Sequence, residues 1–374
     1  MIKNKFIFYV LSLVFTCALI LPAVFAKDIS KHDVEIYGFL KLDTTYDDSI
    51  ADNPDAARFA SATDDAQFAM TAMNTRLGVK YSSPKTEGIK VSGLVEVDFY
   101  DTASVRMRHA YIELKRDKCS LLAGQTWDLF GILGPSTLNT NGYLWNGGNI
   151  GFRRPQLRLT HDYKEDIKVQ VSINRNIGAA TIGANSGENS GMPLMQARVS
   201  YCFPFAEKKT TVGLSGLYGS EKYNRWDGTS YDIKQTGVCL DVTAPINSMI
   251  SLKGEFFSGS NLDALLAGIG QGVNTATEEG IGTTGAWAQL TYKPDDKHKV
   301  NVGYGMDNPD EDKLNNGNRQ KNTVMFANIK YALVKDVKLG LEIANYNTEY
   351  VNTAKGTNNR ITASVIYKLL TNIR

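Results

Sequence analysis

From residue 35 to the end of the chain, apolar and polar residues alternate with period two in segment after segment. Between Ile167 and Asn174 the apolar set is Ile167, Val169, Val171 and Ile173, and the polar set is Lys168, Gln170, Ser172 and Asn174. The last such segment sets Ile361, Ala363, Val365, Tyr367 and Leu369 against Arg360, Thr362, Ser364 and Lys368. Successive side chains of an extended chain point to opposite faces, so each segment reads as a strand with one apolar and one polar face. Beyond the first 26 residues no apolar run approaches the roughly 17 residues that a membrane helix needs.

The pattern predicts about sixteen strands, at 35–46, 75–82, 88–100, 105–116, 120–127, 154–163, 166–175, 194–203, 209–219, 232–243, 249–258, 283–293, 298–306, 322–332, 336–347 and 359–370. From the second strand onward, every other connection is a short turn, such as Ser83-Pro84-Lys85, Lys164-Glu165 or Pro294-Asp295-Asp296. Most connections between those turns are long and rich in Gly, Asn, Asp and Ser: 47–74, 128–153, 176–193, 220–231, 259–282, 307–321 and 348–358. A soluble sandwich would also alternate, but short turns on one rim and long loops on the other are the layout of an all-β, transmembrane antiparallel barrel. Aromatic residues fall at both ends of the strands. Tyr81, Tyr163, Tyr201, Tyr292, Tyr331 and Tyr367 lie near the short turns, and Tyr46, Tyr100, Trp127, Tyr218, Phe256, Tyr304 and Tyr346 near the long loops. Two membrane–water interfaces select two such belts.

The start of the chain fits the same destination. Lys3 and Lys5 precede an apolar run from Phe6 to Leu21, and Pro22-Ala23-Val24-Phe25-Ala26 ends in small residues. This is the form of a secretory leader, cut after Ala26. The expected organisation is a leader over 1–26, a short periplasmic N-terminus over 27–34 and a barrel over 35–374, in the outer membrane of a Gram-negative-type bacterium. With 10% aromatic and 21% charged residues the chain is too aromatic for disorder and too polar for a helical membrane bundle. Loss of Lys3 and Lys5 leaves 39 basic against 39 acidic residues, which gives no support for a nucleic-acid partner. Cys119, Cys202 and Cys239 form no C-x-x-C pair, and His32, His109, His161 and His298 show no HExxH spacing. No metal, cofactor or enzymatic chemistry is called for.

If the apolar face meets lipid, the other face lines a lumen. Its basic residues are Lys41, Arg76, Lys80, Lys90, Arg158, Lys168, Arg198, Lys234, Lys253, Lys330, Lys338, Arg360 and Lys368, against Asp43, Glu96, Asp98, Asp241, Glu255 and Glu342. Wall charges of one sign raise the local concentration of the opposite ion, so the lumen is expected to favour anions. The connection after the fifth strand carries Phe130, Leu133, Leu138, Tyr143, Leu144 and Trp145 among Gly, Asn and Thr. An external loop would be more uniformly polar, so this one is expected to fold inward as a constriction presenting Asp128, Thr137, Asn139, Asn141 and Trp145, the alternative being an ordinary surface loop with a trimer-contact patch. Arginines cluster near it at 106, 108, 153, 154 and 158. The expected anion-binding set is Arg76, Arg106, Arg108, Arg154, Arg158 and Arg198, because guanidinium forks match carboxylates. Alternatively, some of these arginines pair with Glu96, Asp98 or Glu113 and only stabilise the wall. Strand 105–116 does not phase, since facing Arg106 and Arg108 inward also turns Ile112 and Leu114 inward. A bulge or a subunit contact would resolve this.

The stretches VEIYGFLKLDTTYDDS (34–49), NTRLGVKYSSP (74–84), VRMRHAYIEL (105–114), LLAGQTWDLF (121–130) and GNIGFRRPQLRLTH (148–161) resemble the DcaP-like outer-membrane porins. The resemblance implies a trimeric, sixteen-strand channel for dicarboxylates and related aromatic acids, with a basic eyelet near Arg76, Arg106, Arg108 and Arg158. The chain departs from it in ending at Arg374 rather than at an aromatic residue. The expected function is a porin passing small anionic solutes, seated among bilayer lipid and lipopolysaccharide. The alternative is a plugged structural or adhesive barrel without transport.

Overall fold

In the computed structural model, which describes residues 32–101, 104–178, 182–183, 185–225 and 227–373, the alternating segments join one closed antiparallel sheet. The expected leader and most of segment 27–34 lie outside the described residues. The strands are β1 (Asp33–Asp47), β2 (Gln67–Thr71 and Arg76–Ser82), β3 (Ile89–Asp101), β4 (Ser104–Arg116), β5 (Cys119–Trp127), β6 (Arg153–Asp162), β7 (Ile167–Asn174) and β8 (Leu194–Phe205). They continue as β9 (Lys208–Asn224), β10 (Ser230–Pro245), β11 (Ile250–Ser260), β12 (Gly282–Tyr292), β13 (His298–Pro309), β14 (Arg319–Val334), β15 (Val337–Tyr350) and β16 (Gly356–Ile373). Both halves of β2 pair with β1, at its two ends, so the 17 segments of the sheet make sixteen staves. Tyr46 of β1 faces Ile361 of β16 and closes the ring. A closed ring leaves no edge carrying unpaired N–H and C=O groups, which hydrocarbon would not tolerate.

The two faces separate as the alternation predicts. On β1, Leu40, Leu42 and Tyr46 are exposed at the outer surface, while Lys41, Asp43, Thr45 and Asp47 are buried inside. Several strands run further toward the long loops than the periodicity reaches. The expected strands 209–219 and 232–243 are continued by a ladder that pairs Ser220 with Lys234 and Asn224 with Ser230. Past the lipid boundary both faces can be polar, so hydrogen bonding persists where the period-two signal fades. For the same reason the strand segment Gln67–Thr71 lies inside the expected loop 47–74.

Some orientations differ from expectation. Lys234 is exposed on the outer parity of β10, between buried Ile233 and Gln235; near the long-loop rim a charge need not face the lumen. Tyr100, Trp127 and Tyr346 leave the aromatic belt and turn inward. Tyr346 is buried in an apolar cluster, Tyr100 accepts a hydrogen bond from Asn53 Nδ2, and Trp127 packs on Trp145. The unphased strand is bulged: Glu96 faces His109 and Val97 faces Met107, which leaves Arg108 as the extra residue. Arg106 and Arg108 therefore both face the lumen, and Ile112, 54% exposed, still faces out.

Candidate functional site

The chain leaves β5 at Trp127 and enters the barrel. Its backbone N–H groups then bond to the inner wall in sequence: Leu129 to Gln196 of β8, Leu133 to Glu255 of β11, Ser136 to Gln289 of β12 and Leu138 to Glu342 of β15. Asn141 reaches the far side, donating to Asn74 and accepting from Arg106. Segment 128–152 thus runs around the inside of the barrel as a shelf. Lysines hold it, with Lys41, Lys253 and Lys330 donating to the carbonyls of Leu138, Gly134 and Thr137. Glu255 and Glu342 serve as acceptors for the shelf, so part of the acidic wall is spent on positioning it. Phe130, Leu138, Leu144 and Trp145 are buried, as their apolar character requires.

The shelf is not alone. Segment 48–66, between the first two strands, packs Ala51, Ala57 and Ala60 against Leu144, Trp287, Val324, Phe326 and Tyr346. Segment 261–281, between β11 and β12, packs Leu262, Leu265 and Ala267 against Phe130, Ile150, Leu194, Leu217 and Phe257. Inward positions on one side of the barrel are therefore apolar near the long-loop rim. The inward charges gather elsewhere, toward β3–β6.

There the arginines meet. Arg106 bonds Asp98 through both fork nitrogens, at 2.8 and 2.7 Å, and Asn141 Oδ1 at 2.7 Å. Arg108, 1% exposed, donates to Glu96 and Asp98, each at 2.8 Å. Arg76 lies 3.6 Å from Glu96 and over the Phe39 ring, and its buried Nε and Nη2 find no hydrogen-bond partner among the described residues. Arg153 stacks 4.4 Å above the Trp127 ring, in the field of Arg76, Arg106 and Arg108, and forms no ion pair among the described residues. Four guanidinium groups thus surround two carboxylates, an excess of two positive charges. Trp127, Trp145 and Tyr143 lie beside them as a row of tilted rings, with Trp145 6.1 Å from Trp127 and 5.9 Å from Tyr143 between centroids. Between these groups lies a cavity of about 210 Å³, lined also by Arg58, Tyr100, Phe152 and Leu266.

Of the expected anion-binding set, only Arg106 lines this cavity, with Arg76 and Arg108 one layer behind it. Arg154 is spent on Asp128, 3.0 Å away, with both side chains fully buried. Arg158 is held by Gln156 and the Trp127 carbonyl. Arg198 lies apart, forked onto Asp241 at 2.9 and 2.7 Å. Of the expected loop residues, Asn141 and Trp145 line the cavity, while Asp128 does not. Thr137 donates to the Asn139 carbonyl, and Asn139 accepts from the Asn141 and Gly142 N–H groups, so both shape the shelf from within. Arg58 was missed, because its loop carries small alanines among Asp, Asn and Ser rather than the large apolar anchors that mark segment 128–153 as folded inward. Lys299, on the inward parity of β13, was also overlooked although the alternation reaches it.

Solved structures share this architecture. The outer membrane channel DcaP of Acinetobacter baumannii matches with a TM-score of 0.73 at 22% identity, over 93% of this chain and all of that one. An anion-selective porin from Comamonas acidovorans matches with a TM-score of 0.63 at 11% identity, over 90% of this chain and all of that one. The trimer form of OmpT, an outer membrane protein of Vibrio cholerae, matches with a TM-score of 0.57 at 14% identity, over 90% of this chain and 99% of that one. No curated protein matches the chain. The resemblance read from the five short segments thus agrees with the similarity to DcaP over nearly the whole fold. Residues 13–351 match the family model for Gram-negative porins, and the chain belongs to that family of outer-membrane β-barrel channels.

Proposed function

We propose that this porin passes small anionic solutes, with dicarboxylates and aromatic acids as the class its narrow zone suits. The observation that carries this reading is the cavity between shelf and wall, where Arg58, Arg106 and Arg153 adjoin Trp127, Tyr143 and Phe152. Guanidinium forks bind carboxylates in two-point fashion, and aromatic faces take up a flat organic body. The excess of arginine over Glu96 and Asp98 supplies an attraction for anions that the chain as a whole, formally neutral once Lys3 and Lys5 are lost with the leader, lacks. The similar Comamonas porin is anion-selective by name, which favours the same reading. A homotrimer fits the apolar outer surface of Phe68 and Met70 on β2 and Val105 and Met107 on β4, all strongly exposed on the two strands that flank β3, and the similar OmpT of Vibrio cholerae has a trimer form. Lipopolysaccharide and bilayer lipid cover the remaining outer face, and export uses the leader over 1–26.

The reversal potential of the reconstituted channel in a potassium chloride gradient tests the selectivity. Wild-type protein is expected to prefer chloride. Replacing Arg106 and Arg153 together with Ala should move the reversal potential toward cations, and the shift should shrink at high salt as screening shortens the reach of wall charges. A cation-preferring wild type, or a potential unmoved by losing both arginines, would overturn the proposal. The apolar packing of segments 48–66 and 261–281 against the wall favours a second reading, a plugged barrel. Stepwise single-channel openings support the pore, and their absence supports the plug.

A further inference from the structure

We propose that segment 261–281 is a gate whose tip, Leu266–Gly270, closes the arginine–aromatic cavity and swings away to open it. The inference rests on the pore reading but not on its anion preference. Leu266 at the tip lines the cavity opposite the shelf. The tip is latched to the shelf through backbone: the Leu266 carbonyl accepts the Asn146 N–H at 2.9 Å, while the Leu265 carbonyl, just before the tip, accepts the Gly151 N–H at 2.9 Å and belongs to the anchor. On its other flank Arg319 Nε donates to the Ile269 carbonyl at 2.8 Å, and Arg319 and Gln271 exchange two further hydrogen bonds. The Ile269 N–H reaches Asp307 Oδ2 at 3.3 Å. The closed position is therefore specific and held at both ends.

It is also under load, and the load is concentrated in ten residues. Asn261, Leu266 and Ile269 have φ of 58°, 66° and 50°, in the left-handed region. Ile269 is the one β-branched residue with positive φ among the described residues, a conformation its Cβ strongly disfavours. Asn261, at the root of the segment, is fully buried, yet neither Oδ1 nor Nδ2 finds a hydrogen-bond partner among the described residues. Burial of Leu262, Leu265, Ala267 and Ile269 opposes this strain and keeps the segment in place. Release of the tip alone would relax Leu266 and Ile269 and leave Leu262 and Leu265 as an anchor. Gly268 and Gly270, at φ of 63° and 71°, flank the strained isoleucine and supply the hinges. Two opposed costs on one short segment make a two-position element, which is what a gate requires.

A reversible cross-link tests the motion. In the double variant Asn146→Cys with Leu266→Cys, an oxidant should join shelf to tip, as confirmed by mass spectrometry. Open probability should then fall about tenfold and recover on reduction, while each single variant ignores the oxidant; a tenfold change corresponds to about 1.4 kcal/mol. Arg319→Ala, which removes the side-chain bond to the Ile269 carbonyl and keeps the two bonds its backbone makes to Gln271, should raise open probability severalfold without any cross-link. Equal conductance of oxidised and reduced double variant, or failure of the two thiols to join, would overturn the gate. Reversal potential in the reduced state reads anion preference separately, so loss of the selectivity reading leaves the gate intact, and the reverse also holds.

Discussion

Arginine has two kinds of work in this lumen, and what each residue touches decides which. Arg154 and Asp128, fully buried and 3.0 Å apart, fasten the start of the shelf to β6. Arg154→Leu would leave Asp128 a buried charge without its partner, which should cost about 3–5 kcal/mol of stability, read from the shift of the urea unfolding midpoint in micelles. Arg153, one residue earlier, stacks on Trp127 and has no ion pair among the described residues. Its removal should leave that midpoint nearly unchanged and alter selectivity instead. The sequence marked both as members of one cluster. It could not separate them, because Asp128 lies 26 residues from Arg154 and only the returning chain brings the two together.

At the scale of elements, alternation decides which face of a strand meets lipid. Val171 is 47% exposed on the outer face of β7, and Gln170 turns inward toward Thr160. Val171→Arg should destabilise the barrel by about 2–4 kcal/mol near the bilayer midplane, whereas Gln170→Arg should fold normally; equal yields of folded protein would reverse the face assignment. The shelf obeys a different rule. Its apolar anchors sit where the wall has no side chain: the Phe130 ring lies over Gly237, Leu138 over Gly340, and the Gly147 carbonyl against Gly305. A Cβ at position 305 would overlap that carbonyl oxygen, and backbone cannot step aside as a flexible side chain can. Gly305→Ala should therefore lift the shelf at a cost of about 1–3 kcal/mol, leaving a barrel that still folds but whose single-channel conductance differs from wild type. The alternation shows a glycine in a strand, but not that a loop from elsewhere needs the space.

For the molecule as a whole, closure of β1 onto β16 makes unfolding an all-or-none loss of the ring. Unheated protein should migrate faster than boiled protein on a denaturing gel, with strong β and little helical circular dichroism; identical migration would contradict a closed barrel. The sequence by itself determined the barrel. Period-two alternation, turn length and aromatic placement are local signals, and each strand carries its own. The irregularity of strand 105–116 was also legible, because a strand that will not phase reports it; that a bulge at Arg108 resolves it, rather than a subunit contact, is visible only in the strand pairing. The inward fold of segments 48–66 and 261–281, the partners of segment 128–152 along the wall, and the cavity left beside β3–β6 were decided by tertiary structure. There the rule that apolar residues face lipid fails, since Leu194, Leu217, Phe257, Trp287 and Phe326 face inward to meet loops from distant parts of the chain. Inside the membrane a strand's outer environment is uniform, so its residues can be read alone. The lumen is an environment the chain makes for itself, and each inward residue takes its meaning from a partner that only the closed ring supplies.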